Sequence, residues 1–272
     1  MSTGLTQKEK AERFLELHRK GDPLLMPNAW DLGSAAVLAS LGFQALATTS
    51  SGHAATLGRL DGAVTRDEAL AHAASLSENT DLPVSADLEN GFADDPEGVA
   101  DTIEGARAAG LAGCSVEDYS GSQIYDPAVA RERVAAAAET AHSGPVRLVL
   151  TARAENHIRG RDDLADTIAR LQAYQEAGAD VLFAPGIKRA EDIRQVVQSV
   201  DVPVSVLAVP GAPSTAELAG LGVARVSVGG AFAFAALGAL VEAATELRDS
   251  GTYAYLERSA AGGRATRSAF NQ

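Results

Sequence analysis

The sequence is organised by a regular alternation of short apolar runs with longer amphipathic segments. Eight apolar runs have the length of β-strands, and Ala-rich segments of helical length lie between them. The strand candidates are Leu24–Pro27, Gln44–Thr49, Pro83–Leu88, Gly113–Glu117, Arg147–Ala152, Val181–Ala184, Pro203–Val209 and Arg225–Val228. This alternation predicts an α/β fold of the (β/α)8 TIM-type barrel class, with a doubly wound open sheet as the alternative.

The amphipathic segments carry boundary signals that are typical of helices. The helix candidates are Asp31–Ser40, Arg66–Glu78, Pro96–Ala109, Pro127–His142, Asp162–Ala177, Arg189–Ser199 and Thr215–Leu221. Pro96 and Pro127 suit the first turn of a helix, where no N–H donor is needed. Asp95 and Asp126 precede them and are predicted to be N-caps.

The chain shows no internal boundary. No Pro- or Gly-rich linker, charge block or low-complexity segment divides it, so we expect a single barrel domain over residues 1–272. A helix at Ala231–Leu247 and a tail at Tyr253–Gln272 exceed what eight βα units require, which predicts a C-terminal helical extension over residues 231–272. Such an arm often packs on a neighbouring subunit, so a homo-oligomer, either a dimer or a tetramer, is expected through these helices.

Composition limits the partners of the chain. The formal net charge of -13 would repel nucleic acids and anionic membranes. Hydrophobic residues make up 46% of the chain, yet no apolar run approaches the ~20 residues of a membrane span. The segment Thr6–Lys20 is charged and amphipathic, unlike a signal peptide, and Cys114 is the single cysteine. These features predict a cytoplasmic protein without a disulfide bond.

Charged residues collect at the C-terminal ends of the predicted strands, where the active sites of (β/α)8 barrels lie. Asp87 and Glu89 end the third strand, and their spacing predicts that both carboxylates lie on one strand face. Glu117–Asp118 ends the fourth strand, and Arg153 and Glu155 end the fifth. Converging carboxylates are costly unless a cation neutralises them, and oxygen ligands favour Mg2+ or Mn2+ over Zn2+.

The same residues also allow structural roles. Asp87 and Glu89 could cap a helix or form ion pairs in a loop. Arg153 could pair with one of the acids, or it could bind a substrate carboxylate through its bidentate guanidinium. The Thr48–Ser51 run carries hydroxyl and N–H donors suited to a carboxylate or a phosphate, but such a run also forms ordinary polar loops. Spacing alone does not decide between these interpretations.

Eight short motifs occur in a characteristic order. They are Asn28, Trp30–Asp31, Gly42–Phe43, Thr48–Ser50, Leu57–Asp61, Asp87–Phe92, Val116–Asp118 and Thr151–Glu155. In this order, from Leu24 to Gly230, the chain resembles the isocitrate lyase / phosphoenolpyruvate mutase superfamily. The resemblance implies a Mg2+-dependent barrel that stabilises an enolpyruvate-like or aci-carboxylate anion while a C–C or P–C bond is broken or made.

The resemblance also implies roles for individual residues. The metal-site acids of the superfamily match Asp61, Asp87, Glu89 and Glu117. Thr49 and the backbone of Ser50 fall where the superfamily holds the substrate carboxylate, and Trp30 lies near its pocket segment. Arg153 falls where the superfamily contacts the leaving part of the substrate, so Arg153 and Glu117 are candidate catalytic residues.

The chain departs from the superfamily in the loop after the fourth strand. Superfamily lyases carry a Lys-Cys-Gly-His sequence there, whose thiol acts as general acid, whereas this chain has Tyr119–Asp126. Tyr119, Ser122 or Tyr125 could replace the missing acid, and Tyr119 is the catalytic candidate. The Lys-Thr-Asn signature of the mutases is also absent, and Glu89 stands where phosphonate-forming members usually have Asp.

These observations predict a Mg2+-dependent lyase that cleaves a C–C bond in a small 2-oxo or 2-hydroxy di- or tricarboxylic acid through an enolate. A phosphonomutase acting on a P–C bond and an oxaloacetate-type decarboxylase or hydrolase are alternatives. A Schiff-base aldolase would need a suitable lysine, and Lys188 is the only one beyond the N-terminal helix. A catalytically silent barrel that binds a carboxylate metabolite is the remaining alternative.

Overall fold

The structure is a computed structural model that describes residues 4–271. The strands are β1 (Leu24–Met26), β2 (Asn28–Ala29), β3 (Leu46–Thr48), β4 (Val84–Asp87), β5 (Gly113–Glu117), β6 (Val149–Arg153), β7 (Val181–Phe183), β8 (Val204–Leu207) and β9 (Arg225–Ser227). The helices are α1 (Gln7–Glu16), α2 (Leu32–Ser40), α3 (Ser50–Thr56), α4 (Arg66–Glu78), α5 (Pro96–Ala108), α6 (Pro127–His142), α7 (Leu164–Glu176), α8 (Ala190–Gln198), α9 (Thr215–Gly220), α10 (Ala231–Ser250) and α11 (Leu256–Phe270). The ends of the predicted 1–272 domain, residues 1–3 and 272, lie outside the described residues.

The nine strand segments form one parallel sheet that closes almost completely on itself. The order around the sheet is β1-β9-β8-β7-β6-β5-β4-β3-β2, and only Pro27 separates β1 from β2 along the chain. Proline has no N–H for a strand ladder, and Pro27 lies where one barrel strand divides into two segments, β1 paired with β9 and β2 with β3. The predicted (β/α)8 TIM-type fold is therefore confirmed over the open sheet.

Asn28 joins the two sides of the divided strand. Its Nδ2 donates to the Thr48 carbonyl oxygen at 2.7 Å. Its Oδ1 accepts from the N–H groups of Val228 at 3.1 Å and Gly229 at 2.9 Å, just after β9. Because the amide is buried, these three bonds replace ladder bonds that the short strands do not make.

The predicted caps of two helices are confirmed. Asp95 accepts a hydrogen bond from the Gly98 N–H at 2.8 Å, and α5 begins at Pro96. Asp126 accepts from the Ala128 N–H at 2.9 Å at the start of α6. In both cases the short acid satisfies an N–H of the first turn that has no partner within the helix.

The strand-end run Thr48–Ser51 is only partly the loop that its composition indicates. Thr49 accepts a hydrogen bond from the Gly52 N–H at 3.3 Å and is the N-cap of α3, which begins at Ser50. A Cβ on Gly52 would lie 2.6 Å from the Thr49 side chain and 3.0 Å from Trp30 Cβ, so glycine allows this close packing. The extra helix fixes the backbone of Ser50 at the mouth of the barrel.

The N-terminal end of the barrel is filled by α1. Phe14 is fully buried and belongs to an apolar cluster with Leu24 and Met26 of β1 and Val149 of β6. A Cβ on Gly113, the first residue of β5, would lie 2.9 Å from the Phe14 ring, so the ring occupies the space of a side chain. Apolar groups pack around Phe14 at this end of the barrel, and His18, just after α1, is buried against the Phe14 ring.

Two helices follow the last barrel strand. The predicted helix at Ala231–Leu247 extends as α10 to Ser250, where Gly251 takes a left-handed conformation with φ of 63°. The predicted tail contains α11, which packs on α2. None of the helices within residues 4–271 combines the length and apolarity that crossing a membrane requires.

Candidate active site

Arg153, the last residue of β6, links the ends of neighbouring strands at the C-terminal face of the barrel. Its Nη1 lies 2.8 Å from Asp87 Oδ1. Its Nη2 lies 3.0 Å from Glu117 Oε2 and 2.9 Å from Glu155 Oε1. Burial opposes the charge of this guanidinium, but the carboxylates of Glu155, Glu117 and Asp87 outweigh burial and hold its pKa well above the ordinary value. The side chain is therefore a permanent cation that orients three acids.

Asp87, the last residue of β4, is held from two sides. Its Oδ2 accepts hydrogen bonds from the Ser50 backbone N–H at 3.2 Å and from the Ser50 hydroxyl at 3.0 Å, while Oδ1 faces Arg153. The Asp87 N–H donates to Thr48 Oγ1 at 2.9 Å, which fixes the end of the strand. Two neutral donors and a guanidinium thus stabilise the negative charge on this carboxylate.

Glu89 and Glu117 lie in a crowded acidic environment. Burial, followed by the negative charges of Asp87 and Asp61, raises the pKa of Glu89 to about 7. Burial also raises the pKa of Glu117 to about 8, against the opposing positive charge of Arg153. A cation placed among these acids would lower both pKa values, so the electrostatic environment is suited to one.

Two cavities meet at Arg153. The inner cavity, of about 210 Å³, is lined by residues inside the barrel, among them Ser85, Asp87, Ser115, Arg225 and Ser227. The outer cavity, of about 650 Å³, is lined by residues of the strand-end loops, among them Glu89, Glu117 and Tyr119. The residues common to both are Ser50, Asp61, Arg153 and Arg159. A ligand bound to Arg153 could therefore extend into both cavities.

The expectation that Asp87 and Glu89 share a strand face is wrong. Strand β4 ends at Asp87, and Glu89 has φ of 49° in the left-handed region, so the period of two residues no longer applies. The Glu117 N–H donates to the Glu89 carbonyl oxygen at 2.8 Å and holds this turn against β5. Asp87 lines the inner cavity and Glu89 the outer one, and both also line a small pocket beside His53 and His72.

Tyr119 lies in the outer cavity beside an arginine that the sequence analysis missed. The Arg159 guanidinium stacks 3.8 Å from the centre of the Tyr119 ring, and the Tyr119 hydroxyl donates to the Gly121 carbonyl oxygen at 3.0 Å. Arg159 Nη2 also lies 3.5 Å from Glu117 Oε1, and its Nε lies 3.3 Å from Glu155 Oε2. Arg159 follows Glu155 by four residues, a spacing at which an acid and a base often pair, and this was the one sequence signal for it. The segment shows no regular hydrophobic pattern that would have placed it on a helix or strand.

The three predicted substrate-binding residues near β3 take different positions. Ser50 lines both cavities, and Thr49, although buried and engaged as a cap, lines the inner one. Trp30 lines neither cavity, and its carbonyl oxygen lies 3.0 Å from His72 Nε2. The structure thus brings Thr49 and Ser50 to the site with Arg153 and leaves Trp30 behind α3.

Several other polar residues of the strand ends are engaged elsewhere. Asp118 points away from Glu117, since neighbouring strand residues face opposite sides, and its Oδ2 lies 2.6 Å from the Tyr174 hydroxyl. His157 Nδ1 lies 3.0 Å from Asp162 Oδ1. Lys188 is exposed and lines neither cavity, so its position does not favour a Schiff-base mechanism.

The predicted metal ligands surround Arg153 but are not assembled around a common point. Within residues 4–271, no group of three or more His, Cys, Asp or Glu side chains is arranged to hold a metal ion. Arg153 itself pairs with two of the predicted ligands, Asp87 and Glu117. The donor chemistry still fits Mg2+ or Mn2+, because all the candidates are carboxylates, and burial together with the charges of Asp87 and Asp61 raises the pKa of Glu89. The complete predicted set is Asp61, Asp87, Glu89 and Glu117.

Comparisons with known proteins agree with this architecture. The family described as phosphoenolpyruvate phosphomutase matches residues 14–248. An uncharacterized protein of Mycobacterium tuberculosis is 35% identical over 87% of this chain and 89% of its own length. A 2-methylisocitrate lyase of Halalkalibacterium halodurans is 31% identical over 73% of this chain and 67% of its own length. The crystal structure of a candidate lyase/mutase from Burkholderia cenocepacia has a TM-score of 0.90 and 50% identity, covering 92% of each chain. The chain therefore belongs to the phosphoenolpyruvate mutase family of the isocitrate lyase / phosphoenolpyruvate mutase superfamily.

Proposed function

We propose that this chain is a Mg2+-dependent lyase that cleaves a C–C bond in a small 2-oxo or 2-hydroxy di- or tricarboxylic acid through an enolate. The observation that most supports the proposal is the position of Arg153, which joins Asp87 and Glu117 where the inner and outer cavities meet. A cation and several acids at one boundary are suited to bind a polyanion and to move protons. The similarity to 2-methylisocitrate lyase favours C–C cleavage.

The metal would be held by carboxylates from three strand-end segments. The proposed ligands are Asp61, Asp87, Glu89 and Glu117, some of them through water. A bound Mg2+ or Mn2+ would supply positive charge next to the oxygen of a developing enolate. For Asp87 and Glu117 to serve as ligands, Arg153 must release them, and a substrate carboxylate is a suitable replacement partner for its guanidinium.

The substrate would be positioned by donors on either side of that boundary. Thr49 and the backbone N–H of Ser50 would bind the carboxylate of the oxo-acid end. The Ser50 N–H already binds a carboxylate, that of Asp87, at 3.2 Å. Arg153 would orient a distal carboxylate through its two-pronged guanidinium, which fixes both position and angle. These contacts would hold the bond that breaks near the acids once Arg153 and the Ser50 N–H have exchanged Asp87 for a substrate carboxylate.

Cleavage needs one base and one acid. The base removes the proton of a substrate hydroxyl, the C–C bond breaks, its electron pair forms the enolate, and an acid then protonates the enolate carbon. Glu117 suits the base, because it lines the outer cavity and a bound cation would lower its pKa from about 8, so that the ionised carboxylate can accept a proton at neutral pH. Tyr119 suits the acid, because Arg159 stacking fixes its ring in the outer cavity next to Glu117.

An assay of purified protein with a panel of 2-oxo and 2-hydroxy di- and tricarboxylic acids tests the function. With Mg2+ we expect release of pyruvate, glyoxylate or a related oxo acid, which EDTA abolishes and added Mg2+ restores. Tyr119→Phe is expected to lower kcat by about 100-fold or more, while Gln123→Ala, at an exposed position of the same loop, leaves kcat unchanged. Conversion of a phosphonate into a phosphate compound would favour the mutase alternative. Release of oxalate from oxaloacetate would favour the hydrolase, and release of CO2 the decarboxylase. Metal-dependent binding without turnover of any acid would identify a silent barrel and contradict the proposal.

We also propose that the chain forms a homo-oligomer, a dimer or a tetramer, through its C-terminal helices. Only Ala233 of α10 is buried, and Phe234, Leu237 and Val241 recur at helical spacing with exposures of 51%, 42% and 64%. An apolar helix face of this kind is stabilised when a second copy of the same chain covers it. The arm follows β9 directly, so a second copy would lie close to the mouth of the barrel.

The assembly is tested by light scattering coupled to size-exclusion chromatography. Leu237→Glu combined with Val241→Glu is expected to convert the oligomer to a monomer, because charges on both residues cannot be buried without partners. The control is Leu41→Glu, since Leu41 is equally exposed at 67% but lies outside the arm. A monomeric wild type, or an oligomer that survives the double substitution, would contradict the proposed interface.

A further inference from the structure

Arg225 is a buried arginine whose hydrogen-bond contacts within residues 4–271 are all with neutral groups. It is the first residue of β9 and is 3% exposed. Its Nε donates to Ser205 Oγ at 2.9 Å, and its Nη1 donates to Thr151 Oγ1 at 3.0 Å. Nη1 also lies 3.3 Å from His18 Nε2. The buried Arg170 differs, because its Nη1 lies 3.0 Å from a carboxylate oxygen of Asp118.

His18 cannot compensate the charge of Arg225. Its Nδ1 lies 2.7 Å from the Phe14 carbonyl oxygen and must donate to it, so Nε2 is left as the neutral acceptor that faces the guanidinium. Burial and the charge of Arg225 lower the pKa of His18 to about 3. The imidazole is therefore neutral at physiological pH and supplies a hydrogen bond but no negative charge.

The guanidinium stays charged despite its burial. Burial, followed by the positive charge of Arg153, lowers the pKa of Arg225 to about 9, and no carboxylate is among the groups that shift it. A buried charge without a counter-charge is strongly unfavourable in a folded protein. Its presence is explained most simply if an anion from outside completes the pair.

Arg225 also lies where such an anion could reach it. It lines the inner cavity together with Ser85, Ser115 and Ser227, and the same cavity continues to Ser50 at the mouth of the barrel. Its contact Thr151 precedes Arg153 by two residues on β6, so the Arg225 guanidinium lies one interior layer below the Arg153 carboxylate cluster. The wall between these layers carries hydroxyl groups, which accept and donate hydrogen bonds to an anionic ligand.

We infer that Arg225 forms a second anion subsite inside the barrel, which binds a carboxylate of the substrate at the end of an arm directed down the barrel axis. The inference rests on the proposed function, because it assumes that an oxo acid occupies the mouth near Ser50. It makes Arg225 a specificity-determining residue: in a diacid it would bind the second carboxylate in place of Arg153, and in a triacid Arg153 would bind the third. Arg153, whose charge is already matched by three acids, is less able to make that selection alone.

Ligands that differ only in a second carboxylate distinguish binding at Arg225 from binding at the mouth of the barrel. Binding of 2-oxo diacids of four to six carbons is compared with binding of 2-oxo monoacids of the same chain length, by calorimetry in the presence of Mg2+. Wild type is expected to prefer at least one diacid by about 10- to 100-fold, the range of a hydrogen-bonded charge pair. In Arg225→Met this preference is expected to disappear, while the monoacids bind as they do to wild type.

Stability measurements distinguish the subsite from a structural role. Without ligand, Arg225→Met is expected to melt at or above the Tm of wild type, because it removes an uncompensated buried charge. The control Arg170→Met is expected to melt lower, because it leaves Asp118 without its cation. Arg225→Lys keeps the charge and is expected to retain part of the diacid preference, which also serves if the Met variant does not fold.

Three outcomes would overturn the inference. If wild type binds diacids and monoacids equally, Arg225 has no anion subsite, while the lyase proposal is unaffected. Equal loss of both ligand classes in Arg225→Met and Arg225→Lys would assign the arginine a structural role. If wild type binds no oxo acid at all with Mg2+ present, the proposed function fails and the inference fails with it.

Discussion

Replacing Arg153 by Met is expected to abolish most activity and to destabilise the fold. The guanidinium contacts the carboxylates of Asp87, Glu117 and Glu155 at 2.8 to 3.0 Å. Removing one partner of a buried charge cluster leaves the others uncompensated, which costs about 3–5 kcal/mol of unfolding free energy. Loss of the donor that orients the substrate is expected to lower kcat/KM by about 100- to 1,000-fold. Urea denaturation and steady-state kinetics measure the two effects.

The pH dependence of the Arg153→Met variant identifies the cause of its instability. In the folded wild type the pKa of Glu117 is about 8, above its ordinary value of 4.5, so the folded state favours the protonated carboxyl. Stability linked to such a group is complete below pH 4.5 and is lost as pH rises through the folded pKa. Removal of Arg153 would raise the pKa of Glu117 further, so ionising this carboxyl at high pH would cost the folded variant more than it costs the wild type. The variant should therefore be destabilised more at pH 9 than at pH 6. A constant deficit over this range would contradict the electrostatic explanation.

Arg153→Lys is the matched control for the shape of the guanidinium. Lysine keeps the positive charge but presents one ammonium group in place of a planar fork, so it cannot face Asp87, Glu117 and a substrate carboxylate with fixed angles. We expect stability close to that of wild type and a loss of activity close to that of the Met variant. Full activity in the Lys variant would show that Arg153 supplies charge alone.

The sequence was sufficient to predict the barrel because its signals are local. Strand runs, the caps Asp95 and Asp126, and the prolines that follow them each depend on neighbours within a few residues. Asp87, Glu117 and Arg153 each end an apolar run in the sequence, and the parallel topology brings their side chains together at one face of the barrel. Alternation of strand and helix therefore predicts both the fold and the face on which the charges meet.

What the sequence could not predict depends on distant contacts or on backbone conformation. The partners of Arg225 are Ser205, Thr151 and His18, at separations of 20, 74 and 207 residues. No pattern in the apolar run around Arg225 indicates that these partners are neutral. Glu89 has the spacing of a strand residue, but its left-handed backbone ends the strand before it and turns its side chain toward the outer cavity. The neutral surroundings of Arg225 and the backbone conformation of Glu89 can therefore be recognised only in the folded structure.

The proposed metal site predicts that Mg2+ raises the Tm of wild type and that Asp87→Asn removes this rise. The change keeps the shape of the side chain but replaces one oxygen that faces Ser50 or Arg153 with an NH2 group, which cannot accept their hydrogen bonds. Removal of a charged ligand is expected to weaken Mg2+ binding by on the order of 100-fold or more, and metal-dependent turnover should fall with it. Thermal melting with increasing Mg2+ measures binding independently of activity.

Asp94→Asn is the matched control, since Asp94 lines the outer cavity but lies outside the proposed ligand set. It should retain the wild-type rise in Tm with Mg2+. The ligand-free Asp87→Asn protein should still fold, because Arg153 keeps Glu117 and Glu155 as partners. If Asp87→Asn keeps a wild-type Mg2+ response while Arg153→Met loses activity, the acids at the barrel mouth position the arginine rather than a metal. The chemistry would then depend on the guanidinium, because it is the permanent cation that contacts Asp87, Glu117 and Glu155.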